Sequence, residues 1–348
     1  MEESKVDLLV IGSGAAGLTT ALTGALYGLS VCVLEHDDFI GGTSARSSGT
    51  VWVPDSHLMR EAGISGDRPR AEAYLGSLTD DISPDAPWRV FLREAPAMLL
   101  DLERQAGIAF RPYLNAPDYR QDKPGAAPGG RPLEPLPFDG RELGAEFERL
   151  ALPLPELMLL GGLMVTRGEA ATLLKADRSL SSASLGLRLV GRYLRDRLRY
   201  RRGTRLVLGN ALVARLLKAA LDRHVRVLTG ITVERLAKQD GRIVGAQCRQ
   251  GTYSLLISAS RGVVLAGGGF PANPALRAAQ LPRPTPEYTP ATSGCDGSSI
   301  ALGLAAGGVL GPSGKDNALW FPSSVMRRPD GSVAVYPHIV LDRAKPGL

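Results

Sequence analysis

The sequence predicts an α/β fold, a parallel sheet flanked by helices, and three observations carry that prediction. Residues 6–11 form a short apolar run of the length a buried parallel strand needs. Gly12-Ser13-Gly14-Ala15-Ala16-Gly17 follows at once, and 18–28 then reads as a helix rich in alanine and leucine. Val31-Cys32-Val33-Leu34 is a second strand-like run, and it ends at an acidic residue, Glu35. Strand, tight glycine turn, helix and strand make a βαβ unit.

The composition sets bounds on the rest. A chain of 348 residues, 44% hydrophobic and 22% charged, can bury one large or two ordinary domains and is not disordered as a whole. Cys32, Cys248 and Cys295 lie far apart without CxxC spacing, which argues against a disulfide framework or a zinc site. No metal is expected, and a cytoplasmic location is. The start, Met1-Glu2-Glu3-Ser4, is acidic rather than basic-then-apolar, and no run of about 18 apolar residues occurs anywhere.

The net charge of +6 is concentrated in arginines, notably Arg192, Arg195, Arg197, Arg199, Arg201, Arg202 and Arg205. Within 187–200, Leu187, Val190, Leu194 and Leu198 fall at helical spacing, with the arginines mostly elsewhere around the helix. The first reading is a surface helix with a solvated basic face. A peripheral membrane contact that collects a lipid-like substrate is the second. Nucleic acid is not an expected partner, because no recognised nucleic-acid module accompanies the charge.

Further along, a small-residue loop spans 41–50 and helical material runs to about Ala106. From 110 to 140 the composition shifts to Pro, Gly, Tyr and Asp, a loop long enough to suggest function. Residues 144–200 read as largely helical, and Asn210 as the N-cap of a helix through Leu221. A β-block follows, with strands at 225–228, 231–236, 243–249 and 253–258 and a turn at Gln239-Asp240-Gly241. A separate strand at 263–266 runs into Gly267-Gly268-Gly269.

The chemistry starts at Gly12-x-Gly14-x-x-Gly17. Its setting, between strand and helix, is that of a Rossmann-type dinucleotide site. Gly12 permits the sharp turn, Gly14 lets the backbone approach a pyrophosphate, and Gly17 lets helix and strand pack closely. The helix N-terminus offers unpaired N–H groups to the phosphates. Glu35 lies 18 residues beyond Gly17, near the roughly 20 expected of a ribose-binding carboxylate. A simple NAD enzyme would continue into another βαβ unit. Here Gly41-Gly42-Thr43-Ser44-Ala45-Arg46-Ser47-Ser48-Gly49-Thr50 follows, dense in small residues and hydroxyls suited to phosphate and ribitol groups. FAD is therefore the expected cofactor.

The strings GSGAAG, GGTSARSSGTVW, RGVVLAGGGF and SGCDGSSIA, with Glu35 between the first two, together resemble the fumarate reductase and succinate dehydrogenase flavoprotein superfamily. Pro117-Asp118-Tyr119, Gly129-Gly130-Arg131 and Gly209-Asn210-Ala211-Leu212 resemble its 3-ketosteroid dehydrogenase (3-oxosteroid 1-dehydrogenase) branch. The resemblance implies cofactor contacts from Gly12, Ser13, Gly14, Ala15, Ala16, Gly17, Glu35, Gly41, Gly42, Thr43, Ser44, Ser47 and Gly49. It adds the backbone of Val233 against the adenine, with Ala266, Gly267 and Asp296 completing the adenosine side. Covalent attachment in some relatives needs a histidine beside the small-residue loop, and this loop has none, so non-covalent FAD is expected.

The same resemblance makes Tyr119 the catalytic candidate, helping to remove a proton beside a substrate ketone while a hydride leaves the adjacent carbon for flavin N5. Tyr113 and Tyr336 are weaker alternatives, and none of the four histidines has a catalytic context. Where dicarboxylate-reducing members carry Gln-x-His-Pro-Thr, this chain reads Asn317-Ala318-Leu319-Trp320-Phe321-Pro322, which suits an apolar ring, a steroid foremost, unless the pair is core packing. The electron acceptor is unidentified. The family pattern runs past Leu348, so the expected plan is a Rossmann-type FAD-binding domain with an inserted β-block over 1–316. The start of a substrate-capping α+β domain would follow over 317–348, C-terminally truncated. Two alternatives stay open: a flavin-dependent reductase of another unsaturated acid or ketone, and a catalytically incompetent fragment.

Overall fold

The computed structural model describes residues 2–80, 83–311, 314 and 317–338; the expected boundary at 316 and the terminal Ala344-Lys345-Pro346-Gly347-Leu348 fall outside them. A six-stranded sheet forms the spine. In chain order its strands are β1 (Glu2–Ile11), β2 (Val31–Leu34), β3 (Arg226–Leu228), β4 (Thr232–Gln239), β5 (Arg242–Gln250) and β6 (Tyr253–Leu265). They lie in the order β3-β2-β1-β6-β5-β4. The first four run parallel, and β6, β5 and β4 continue antiparallel.

Both faces of β1 are covered over its apolar end, 8–11, as such a run requires. Successive side chains point to opposite faces, so Val10 packs with Leu18 and Leu22 of helix α1 (Ala15–Leu26), while Leu9 joins Cys32, Cys248 and Ile257 on the other side. The short helix α2 (Gly42–Arg46), the amphipathic α3 (Pro87–Ala106), α4 (Leu180–Arg197), the buried α5 (Leu208–Leu221) and α6 (Ser298–Ala305) complete the frame used below.

Four expectations are corrected. The β-block is part of the main sheet, and the runs 253–258 and 263–266 are one strand, β6. Its pairing with β1 passes from Val6↔Ala259 to Leu8↔Gly262, so one extra residue bulges out around Ser260-Arg261. That polar pair had looked like a break. Residues 144–200 are helical only in part, because Pro153, Pro155 and the Gly161-Gly162 turn interrupt them with a small hairpin, Met158–Leu159 against Leu163–Met164. Asn210 lies inside the first turn of α5, whose N-cap is Val207. Its amide donates to the carbonyls of Ala45 (3.3 Å) and Ala151 (2.7 Å) and accepts from Arg202 (3.2 Å), so it joins segments rather than capping. On α4 and its C-cap, Leu187, Leu194 and Leu198 face solvent, and the buried positions are Ser182, Leu189, Tyr193 and Asp196.

Candidate functional site

The strands β1, β2 and β6 end together. Gly12 donates to the Leu34 carbonyl and Ala266 to the Ile11 carbonyl, both at 2.7 Å. Beyond those ends opens a cleft of about 330 Å³, at the carboxyl edge of the parallel strands where α/β folds bind ligands.

The glycine corner is shaped by close approaches. Gly12 has φ +106°, and a Cβ there would stand 2.4 Å from the Ala266 carbonyl oxygen, so only glycine lets β1 turn beside β6. A Cβ on Gly17 would stand 1.9 Å from the Gly12 carbonyl oxygen, which is why α1 can lie against the strand it leaves. No side chain caps α1 at Gly14, and its first turn holds no acidic residue. Ser44 Oγ reaches across to accept the Ala15 N–H at 3.0 Å.

Glu35 is buried at the tip of β2. One oxygen accepts both the N–H (2.9 Å) and the hydroxyl (2.5 Å) of Ser13, and the other accepts the Asp37 N–H (3.0 Å). Ser13 Oγ in turn accepts the Gly41 N–H at 2.9 Å, so one carboxylate ties the glycine corner to the entrance of α2. Asp296 accepts the Ser298 N–H at 2.9 Å. Burial works to raise its carboxyl, but the bonds from Ser298, with smaller contributions from its own backbone and His36, together hold it below the ordinary carboxylate value, so it is an anion at neutral pH.

Thirteen of the expected contacts line this cleft. They are Gly12, Ser13, Gly14, Ala15, Ala16 and Glu35 at the corner, Gly42, Thr43 and Ser44 on α2, and Val233, Ala266, Gly267 and Asp296 on the far side. Gly17, Gly41, Ser47 and Gly49 do not line it and act from behind. Ser47 Oγ donates to the Ser44 carbonyl (2.8 Å) and accepts the Gly49 N–H (3.0 Å), and the Ser47 carbonyl accepts the Gly209 N–H (3.0 Å), fixing the loop to α5. Sequence reasoning missed His36, Asp37, Thr292, Cys295 and Ser299, which also line the cleft. The string around Asp296 held a signal for Cys295 and Ser299; Thr292 had none. Thr43 Oγ1 lies 3.3 Å from Thr292 Oγ1 and 3.2 Å from Cys295 Sγ, joining the two walls.

No lysine or arginine is among the lining residues. The donors facing the cleft are main-chain amides, hydroxyls, His36 and the positive end of α1, while Glu35 and Asp296 present carboxylates that can only accept. That donor set fits a flavin dinucleotide. Among the described residues no cluster of His, Cys, Asp or Glu could hold a metal ion, and no helix is long and apolar enough to cross a membrane.

Tyr119 lies apart from the cleft lining and is 61% exposed. Its neighbour Asp118 is buried and takes the Trp52 indole N–H (2.8 Å), the Ala127 N–H (2.9 Å) and Arg131 Nη1 (2.6 Å). Arg131 is fully buried and also forks onto Asp67 at 2.8 and 2.9 Å. Tyr113 sits under the Arg167 guanidinium at 4.9 Å, and Tyr336 packs edge-on to His338. Trp320 is partly exposed rather than packed in the core.

With this geometry in hand, known proteins of similar sequence and shape can be placed beside it. The chain is 33% identical over 336 residues to a 4-oxocyclohex-2-ene-1-carboxylate 5-dehydrogenase of Sinomonas cyclohexanicum, covering 96% of this chain and 56% of that protein. It is 30% identical over 334 residues to a 3-oxosteroid 1-dehydrogenase of Mycolicibacterium smegmatis, covering 93% and 57%. The chain thus spans little more than half the length of these relatives. The solved 3-ketosteroid delta1-dehydrogenase of Sterolibacterium denitrificans, in complex with 1,4-androstadiene-3,17-dione, superposes with a TM-score of 0.83 at 30% identity, covering 95% of this chain and 59% of that one. The model of the FAD binding domain family matches residues 7–348. The chain belongs to that family, and its cofactor is FAD.

Proposed function

We propose that the protein is a flavin-dependent dehydrogenase that introduces a carbon–carbon double bond beside the ketone of an apolar ring substrate, 3-ketosteroids foremost. One observation carries the reading beyond cofactor binding. The small-residue loop 41–50 leads directly into Val51–Trp52, and Trp52 holds Asp118, the residue before Tyr119, at 2.8 Å. The catalytic candidate is therefore tied to the strand that leaves the cofactor loop, although 67 residues separate Trp52 from Tyr119 in sequence. Relatives named for oxidising ring ketones support the same reading.

In this reading the amides at the start of α1, with Ser44, hold the diphosphate, Glu35 accepts from the ribose, and the Val233 backbone borders the adenine. FAD, when bound, supplies the two-electron oxidation by accepting a hydride. Tyr119 helps remove the proton from the carbon next to the ketone. Residues to 316 form the cofactor domain and those from 317 begin a capping domain, whose Trp320 and Phe321 meet the substrate. The loop has no histidine, so the flavin is held without a covalent bond. The electrons leave to a separate acceptor whose class is unassigned. Three free thiols support a cytoplasmic location, and an apolar substrate favours contact with a membrane surface.

Dye-linked oxidation by the FAD-loaded protein tests this, with a 3-ketosteroid in one arm and 4-oxocyclohexanecarboxylate in the other. Turnover of a ring ketone is expected, with Tyr119→Phe lowering kcat by about 10²- to 10⁴-fold while the flavin spectrum is kept. Oxidation of the small ketone alone would remove the steroid assignment. A yellow protein that oxidises neither would overturn the dehydrogenase reading.

A further inference from the structure

A helix on a soluble protein ordinarily buries its apolar stripe and leaves its polar side in water. Helix α4 buries one apolar side, where Leu189 and Tyr193 pack with Leu163, and leaves a second apolar line in water. Its inward side carries Ser182, Leu189, Tyr193 and Asp196, with Leu185 and Val190 partly buried beside them, and polar bonds pin it there. The Tyr193 hydroxyl donates to the Leu160 carbonyl at 2.8 Å, and Asp196 Oδ2 accepts the N–H and hydroxyl of Thr204, each at 2.8 Å. The helix cannot rotate its leucines inward without breaking all three.

Outward, Leu180, Leu187, Leu194 and Leu198 are 92%, 77%, 59% and 84% exposed. Steps of seven, seven and four residues keep them on one line along the helix. Leu159 and Leu160, on the hairpin turn that Tyr193 touches, are also exposed. Four leucines in a row on one face are not the scattered apolar residues every surface has.

The charge along this stripe is mostly of one sign, the exposed Asp177 before the helix being paired with Arg178. Arg188, Arg195 and Arg197 flank it, Arg199 and Arg201 follow its end, and all five are exposed. Among the described residues none of the five is in an ion pair with a carboxylate. The helix has one acidic residue, Asp196, and that one is turned inward. Two copies meeting on this face would set arginines against arginines. An anionic bilayer fits instead: the leucines enter the acyl boundary while the arginine stems run along it and place guanidinium groups at lipid phosphates. The 18-residue helix would lie in the interface, and it is not apolar enough to cross.

We propose that α4 is a docking helix for an anionic membrane surface, with Leu180, Leu187, Leu194 and Leu198 inserted and the flanking arginines on lipid phosphates. This gives a site to the membrane contact of the preceding reading but needs none of its chemistry. Vesicle binding is measured without turnover, so either can fail while the other stands.

The test is co-sedimentation of the flavin-loaded protein with vesicles of phosphatidylglycerol mixed into phosphatidylcholine, against phosphatidylcholine alone. Binding to the anionic vesicles is expected, weakened by high salt. The double variant Leu187→Glu/Leu194→Glu should lower partitioning by at least about tenfold, with the flavin spectrum and circular dichroism unchanged. The double variant Arg188→Gln/Arg195→Gln should weaken binding to anionic vesicles only. Three results would overturn the proposal: protein that stays in the supernatant with both vesicles, equal binding to both, or binding indifferent to the leucine changes. Self-association lost in the leucine variant, without vesicle binding, would assign the face to a second copy instead.

Discussion

Ser13 gives its backbone N–H and its hydroxyl to a single oxygen of Glu35, at 2.9 and 2.5 Å, across 22 residues of sequence. The acidic residue at the tip of β2 therefore does two jobs. It shapes the glycine corner from behind, and it borders the cleft with lone pairs to spare for a sugar hydroxyl.

Glu35→Ala removes both bonds and leaves buried Ser13 without its acceptor. Hydrogen bonds to a charged group contribute about 1.5–3 kcal/mol, so FAD affinity should fall about 10- to 100-fold. Fluorescence titration of the apoprotein with FAD measures this directly. An unchanged Kd would show that the carboxylate does not support the dinucleotide.

Arg131 is fully buried between Asp67 and Asp118, with its guanidinium 5.7 Å from the Trp52 and Tyr74 rings. Arg131→Met leaves two buried carboxylates facing each other, a loss of about 3–5 kcal/mol. At about 2–4 °C per kcal/mol for a chain of this size, Tm should drop by about 10 °C. Adding Asp67→Asn and Asp118→Asn should recover part of the loss, since the uncompensated charges go. A thermal shift series reads both effects, and a triple variant no better than the single one would show that charge is not the cause.

Burial pushes the Cys32 thiol up to about 11 and the Cys248 thiol up to about 12. In the unfolded chain a cysteine ionises near the ordinary value of 9.0, so this contribution to stability is intact below that value. It is lost as pH climbs from there through 11 to 12, because only the unfolded chain can release the protons. Tm should be insensitive to these thiols up to pH 9 and fall beyond it, less steeply in Cys32→Ala/Cys248→Ala. A thiol reagent on the folded apoprotein near pH 8 should label Cys295 alone, and FAD should slow that labelling because Cys295 lines the cleft. Rapid labelling of Cys32 or Cys248 in the folded protein would contradict their burial.

Much of the candidate site was legible because its signals are local. Gly12, Gly14, Gly17 and Glu35 announce themselves by spacing, and each falls at the corner the spacing implies. The opposite wall was less readable: Thr292 and Cys295 meet Thr43 across about 250 residues, and no periodicity records such a contact. Asn210 had the residue type of a cap, and its bonds to the distant Ala45 and Ala151 carbonyls and to Arg202 outweighed the local preference.

The amino-acid sequence determined by itself the βαβ corner, the small-residue loop beside it and the family, because turn chemistry, strand-length apolar runs and glycine positions depend on neighbours a few residues away. The tertiary structure alone decided which side of α4 faces the protein, that β6 is one bulged strand, and that Arg131 is buried between two aspartates. A stripe of leucines is compatible with a core or with an outer surface. Only bonds made elsewhere, from Tyr193 to Leu160 and from Thr204 to Asp196, select between them.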